Sequence, residues 1–123
     1  MELGGDDPDL FNNLAYLEAE IGSELDDALA LIQKALSRSP GNSQYTDTAG
    51  FVYLKKGDTA TALRLLESLS TEYRENPGFR YHFALALLKS GDETRGEREL
   101  RTAVAQDPSL ASPAEVHGLL RSN

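Results

Sequence analysis

A ten-residue stretch, AGFVYLKKGD at residues 49–58, returns 34 residues later as FALALLKSGD at residues 83–92. Both have a small residue second, an apolar middle, a lysine and a closing Gly-Asp. A looser copy, LAYLEAEIGS at residues 14–23, precedes them at an offset of 35, because the turn behind it carries one more residue. Ala28, Ala62 and Gly96 are likewise 34 apart, as are Ala35, Leu69 and Ala103, and Pro40 and Pro108 are separated by two such periods. Self-similarity at this period means stacked supersecondary units, none of which can bury its apolar face alone.

Each unit reads as two helices. Asp7 before Pro8, Asn76 before Pro77, and Asp58 and Asp92 after a glycine have the character of N-caps, while Gly22, Gly57 and Gly91 sit where helices end. The pattern predicts first helices near 8–21, 43–56 and 77–90 and second helices near 24–38, 59–75 and 93–106. No alternating pattern competes, so the chain reads as all-α. Gly50 lies inside the second first helix, where glycine costs about 1 kcal/mol relative to alanine. Close backbone approach of a neighbouring helix, with dispersion spread over many atoms, is the compensation expected for it.

Composition narrows the function classes. The 123 residues suit one domain, 40% hydrophobic and 26% charged. Without cysteine there is no disulfide framework and no thiolate metal site, which suits a reducing compartment such as the cytoplasm but leaves a periplasmic location open. No apolar run approaches the roughly 18 residues of a membrane span. The net charge is −8, and residues 1–27 hold nine acids and no lysine or arginine, so the remainder is close to neutral. An acidic chain without a basic, aromatic-studded stripe is not built for a phosphate backbone, and nucleic acid is not expected as a partner.

The period and the helix-turn-helix content resemble the tetratricopeptide repeat, whose pattern is W-x2-L-G-x2-Y, then A-x3-F, then P. Phe11, Leu14, Ala15, Glu18, Ala28, Ile32 and Pro40 fall on it in the first unit. Thr46, Ala49, Gly50, Tyr53, Ala62 and Leu66 follow in the second, with its proline, Pro77, delayed by three residues. The third supplies Arg80, Phe83, Ala84, Leu87, Gly96, Leu100 and Pro108. The tone of the repeats is similar to bacterial members of the family. The resemblance implies an α-solenoid of three units, about 9–42, 43–76 and 77–108, wound as a right-handed superhelix. An acidic leader over 1–8 precedes them and a capping helix over 109–123 follows, making about seven helices. It also assigns Ala15, Gly50 and Ala84 to the contact between paired helices, with Ala28, Ala62 and Gly96 meeting them or the next unit.

In this family the first helices line a concave groove that holds a peptide or partner segment, and no cofactor or metal is involved. The groove face maps onto Asn12, Tyr16 and Glu20, then Gln44, Asp47, Phe51, Leu54 and Lys55, then Tyr81, Leu85 and Lys89. Tyr16, Phe51 and Leu85 occupy equivalent places, so an apolar stripe between polar edges is expected. The cations by which some family members grip a carboxyl terminus are replaced here by Tyr16, Thr48, Gly78 and His82.

Catalysis finds little footing. His82 and His117 lack cysteine neighbours and the i, i+4 histidine spacing of a helical zinc site, and are expected at the surface or partly packed. No phosphate-cradling glycine loop or nucleophile motif is present, so a non-enzymatic interaction module is expected. The rival class is an assembly or spacer segment.

Departures from the pattern mark the second-to-third junction. Leu69 replaces a small residue just before the delayed Pro77, so the helix through LRLLESLSTEYRENP is expected to run about one turn long. After Pro108, Ser112 and Glu115 form a capping box with Pro113 at the first helical position, and Val116, Leu119 and Leu120 share a face, as the closing helix of a solenoid would. No such helix precedes the first unit. Either the array continues upstream, or the Phe11 and Leu14 end pairs with another copy as an oligomer.

Overall fold

The structure is a computed structural model that describes residues 7–111. Among these residues it contains six α-helices and no strand: α1 Pro8–Ile21, α2 Leu25–Arg38, α3 Ser43–Lys56, α4 Thr59–Glu67, α5 Pro77–Ser90 and α6 Glu93–Gln106, followed by a short 3₁₀ turn, Pro108–Ala111. The chain divides into two compact units, Met1–Leu65 and Leu66–Asn123. The expected C-terminal capping helix falls almost wholly on residues 112–123, outside the described residues.

Local chemistry sets the helix ends. The side chains of Asp7, Asn42 and Asn76 accept from the backbone N–H of Asp9 at 2.9 Å, Tyr45 at 3.0 Å and Phe79 at 2.9 Å, each satisfying a donor orphaned in the first turn. Asp58 and Asp92 do the same for Thr61 at 3.2 Å and Arg95 at 3.3 Å. Glu24, before α2, makes no side-chain cap, and Asp26 and Asp27 in that helix's first turn favour its positive end instead. Three helices close on glycines in the left-handed region, Gly22, Gly57 and Gly91, with φ of 84°, 92° and 99°, where an L-residue would set its Cβ against the backbone.

In the first unit α1 and α2 pair, and α3 packs on both. Its core holds Ala15, Ala19, Ala28, Ile32, Ala35, Tyr45, Ala49, Phe51 and Val52, with Leu25, Leu29 and Leu36 of α2 packed against it. Four alanines of α1 and α2 let two backbones approach closely, while Ile32 and Val52 fill the remaining space. Buried Gly50 sits in this interior stretch of α3, between Ala49 and Phe51.

In the second unit α5 is the central helix. It buries Phe79 and every residue from His82 to Leu87, because PGFRYHFALALLKS is apolar around nearly its whole circumference. Phe79 stacks on Phe83 with ring centroids 5.5 Å apart, and Tyr73 meets Phe79 edge-on at 6.1 Å. Helix α6 approaches so closely that a Cβ on Gly96 would lie 2.8 Å from Leu88 Cγ and 3.0 Å from the Leu88 backbone nitrogen.

Two expectations need correction here. Helix α4 is short, not long: it ends at Glu67, and residues 68–75 form turns. The amides of Leu69 and Ser70 fold back three residues onto the carbonyls of Leu66 and Glu67, at 3.0 and 3.1 Å, and the Ser70 hydroxyl donates to the same Glu67 carbonyl at 2.9 Å. Serine and threonine side chains compete with the helical ladder in this way, so SLST absorbs the three-residue delay as turns. His82 is not a surface residue either; it is buried, 3% exposed, on the all-round apolar α5. His117 lies outside the described residues.

Candidate functional site

Helix α1 carries Asn12 and Tyr16 one turn apart, on one face. Helix α3 sets Phe51 opposite: the rings of Tyr16 and Phe51 are tilted at 33° with centroids 5.0 Å apart, and Lys55 Nζ stands 5.7 Å from the Phe51 ring centre. Lys55 is one turn beyond Phe51, so the ammonium reaches back over the ring face, a cation–π arrangement. Nearby, the Tyr45 hydroxyl donates to Asp9 Oδ1 and ties the start of α3 to the start of α1. That hydrogen bond to a carboxylate, with desolvation and the charges of Asp9 and Asp7 behind it, pushes the Tyr45 phenol up to about 12.

Asn12 is the unusual member of this face. It is 5% exposed, and its Oδ1 has no hydrogen-bond partner among the described residues. A buried acceptor left unpaired costs about 1–3 kcal/mol, so such a group is rarely idle.

The other residues expected on the groove face divide by exposure. Glu20, Gln44 and Lys55 are exposed and Asp47 half-buried in the first unit; Tyr81 is half-buried and Lys89 exposed in the second. Phe51 at 5% exposed, Leu54 at 2% and Leu85 at 7% are buried. The expectation of an open apolar stripe therefore fails at Phe51 and Leu85. Phe51 is covered on one side by the Tyr16 ring, and Leu85 belongs to the fully packed run of α5. Tyr16, half-buried, is the aromatic of this set that reaches solvent in the first unit.

Other features went unread in the sequence. Asn42 caps α3, and Lys34 Nζ stands 5.4 Å over Phe11. A recess of about 250 Å³ in the second unit is lined by Ser70, Arg74, Phe79, Arg80, Arg95 and Glu99. Its cations are largely engaged: Arg80 Nη1 donates to Glu99 at 2.6 Å, and Arg95 forks onto Glu67 at 2.9 and 3.3 Å while lying 5.0 Å over the Phe83 ring. Ser70 and Arg74 in its wall come from the turns over residues 68–75, a departure whose nature was not legible from the repeat. Among the described residues no cluster of three or more histidines or carboxylates is placed to hold a metal ion, and no helix is long and apolar enough to cross a membrane.

The family model described as Tetratricopeptide repeat matches residues 53–122, more than half of the chain. The chain belongs to the tetratricopeptide repeat family. A search of curated proteins finds no match. Among solved structures, the chain is similar to the Yersinia enterocolitica type III secretion translocator chaperone SycD, with TM-score 0.72 and 21% identity over 99% of this chain and 95% of that one. It is similar also to PcrH from Pseudomonas aeruginosa, with TM-score 0.69 and 21% identity over 98% and 94% of the two chains. MamA AMB-1 matches with TM-score 0.63 and 20% identity over 93% of this chain, which spans 60% of the MamA chain. At these identities the likeness is one of fold, a tetratricopeptide scaffold.

Proposed function

We propose that this tetratricopeptide chain is a non-catalytic module that binds a peptide or partner segment along the first helices of its hairpins. The observation that carries the reading is half-buried Tyr16 lying against the Phe51 ring, with exposed Lys55 over that same ring. An extended partner chain presents side chains at regular intervals, and Tyr16 would cover an apolar one of them. Exposed Gln44, Glu20 and Lys55 supply polar edges in the first unit, and the second unit carries half-buried Tyr81 and exposed Lys89 on its own first helix. Phe51 and Leu54 serve from beneath in the first unit, as Leu85 does in the second. The likeness to a translocator chaperone supports a protein client over a small molecule.

The test is affinity capture from the source cell with wild type, Tyr16→Ala and the pair Tyr16→Ala plus Tyr81→Ala, with thermal melting as the folding control. Loss of the captured partners from folded variants is the expected result. An identical partner set for all three proteins removes this face from consideration.

A second reading is assembly through the first hairpin, as an oligomer or as a spacer in a longer array. It draws on the exposed aliphatics of α1: Leu10 and Leu14 at 39%, Leu17 at 54% and Ile21 at 74%. Light scattering after gel filtration separates the two readings, because a concentration-independent monomer opposes self-assembly.

A further inference from the structure

Helices α1, α3 and α5 each have 14 residues, so their positions correspond one to one. Leu10 matches Tyr45 and Phe79, Leu14 matches Ala49 and Phe83, and Leu17 matches Val52 and Ala86. Exposure at these places is 2%, 3% and 0% in α3 and 1%, 2% and 0% in α5. On α1 the same places are 39%, 39% and 54% exposed, and Ile21, one turn further on, is 74% exposed. What covers this face of α3 is known: α1 and α2 pack on it, with Leu25, Leu29, Ile32 and Leu36 of α2 in the shared core. Those four follow the spacing i, i+4, i+7, i+11, which is also the spacing of Leu10, Leu14, Leu17 and Ile21. The open face of α1 is thus shaped for the apolar stripe of another helix.

Charge decides what kind of helix. At 100° per residue the four aliphatics of α1 fall within about 60°, with Glu18 bordering one side and Glu20 the other. No lysine or arginine occurs in residues 1–27 to offset them. Glu18 is already strained by its surroundings: burial, then the adjoining Asp27 carboxyl, then Glu24 raise its pKa above the ordinary carboxylate range. A second α1 laid on this face would bring acid against acid, whereas a base would relieve both borders.

We infer that the Leu10, Leu14, Leu17, Ile21 face of α1 docks an amphipathic helix of a partner protein, aliphatic at i, i+4, i+7 and i+11 and flanked by lysine or arginine. The inference rests on the second reading above and names its occupant as a basic-edged helix in place of a second copy.

Fluorescence anisotropy with two labelled synthetic helices tests it. Both carry leucine at the places of Leu25, Leu29, Ile32 and Leu36; one has lysine and the other glutamate at the flanking positions. The lysine helix should bind about tenfold or more tightly than the glutamate helix. Leu17→Ser plus Ile21→Ser, at positions too exposed to hold the fold, should abolish binding, and so should serine in place of the peptide leucines at unchanged peptide charge. Glu18→Lys plus Glu20→Lys should reverse the preference toward the glutamate helix. Absence of binding by either peptide, equal binding by both, or binding untouched by the Leu17/Ile21 changes overturns the inference. Sedimentation of the protein alone separates the two failures. A dimer lost in the Leu17/Ile21 variant, with no lysine-helix binding, puts a second copy on the face and preserves the assembly reading. A monomer that binds neither peptide defeats both.

Discussion

Replacing Gly96 with alanine tests how closely α5 and α6 are drawn together. Alanine is intrinsically the better helix former by about 1 kcal/mol, so an argument from propensity alone predicts a more stable protein. The geometry predicts the reverse. The new Cβ would stand 2.8 Å from Leu88 Cγ, 3.0 Å from its Cδ2 and 3.0 Å from its backbone nitrogen. The side-chain atoms could turn away, but the nitrogen can retreat only if α5 itself moves. Overpacking of this kind costs about 1–3 kcal/mol, and spreading the helices also forfeits contacts around Ala84 and Leu100. Because a backbone atom stands in the way, the upper part of that range, about 2–3 kcal/mol, applies, and subtracting the propensity gain leaves a net loss of about 1–2 kcal/mol, a fall in Tm of roughly 3–8 °C for a domain of this size. Circular dichroism at 222 nm and urea unfolding of the same samples supply the measurement. Gly41→Ala is the reference: no atom lies within 4 Å of its Cβ position, so it should be neutral or slightly stabilising. A Gly96→Ala protein melting at or above wild type would refute the argument, since the helix pair would then accept a methyl group without cost.

Asn42→Ala removes the acceptor for the Tyr45 N–H and should cost about 1 kcal/mol, read by urea titration. Glu99→Gln weakens the 2.6 Å contact with Arg80, whose partners both lie under 20% exposed, and should lower the Tm more than Asp26→Asn, whose partner Lys56 meets it at a fully solvated carboxylate. Because the folded-state pKa of Glu18 is raised, the native state loses stability as pH climbs through the carboxylate range. Glu18→Gln should therefore raise the Tm at pH 7, and the gap from wild type should close as pH falls below about 4.5. A gap independent of pH would show that the benefit is not one of charge.

Much of this fold could be read from local signals. Asp7, Asp58, Asn76 and Asp92 cap helices as their side chains suggest, and Gly22, Gly57 and Gly91 end them, because each acts within one turn of its own position. The end of α4 was obscured by two signals in conflict. Ala62, Leu66, Leu69 and Tyr73 continue a helical spacing, and Leu69 is buried, yet the hydroxyls and the backfolded amides of Leu69 and Ser70 stop the helix at Glu67. On the candidate site, the repeat register identifies a helix face but says nothing of depth. Phe51 is covered because the Tyr16 ring lies across it, a side-chain arrangement between residues 35 apart in sequence. The unpaired oxygen of Asn12 is equally silent in the sequence, since an asparagine on a helix gives no sign of whether its partner is present.

The uncovered aliphatics of α1 also govern how the protein behaves on the bench. In dilute buffer their glutamate borders hold neighbouring molecules apart over about 30 Å, but at 1 M salt that reach shrinks to about 3 Å, shorter than the side chains themselves. Added salt should thus promote clustering, the opposite of its usual use in dissolving charge-driven complexes. Purification of this acidic chain is best carried out at low ionic strength, with salt kept as a dial for sticky encounters between copies.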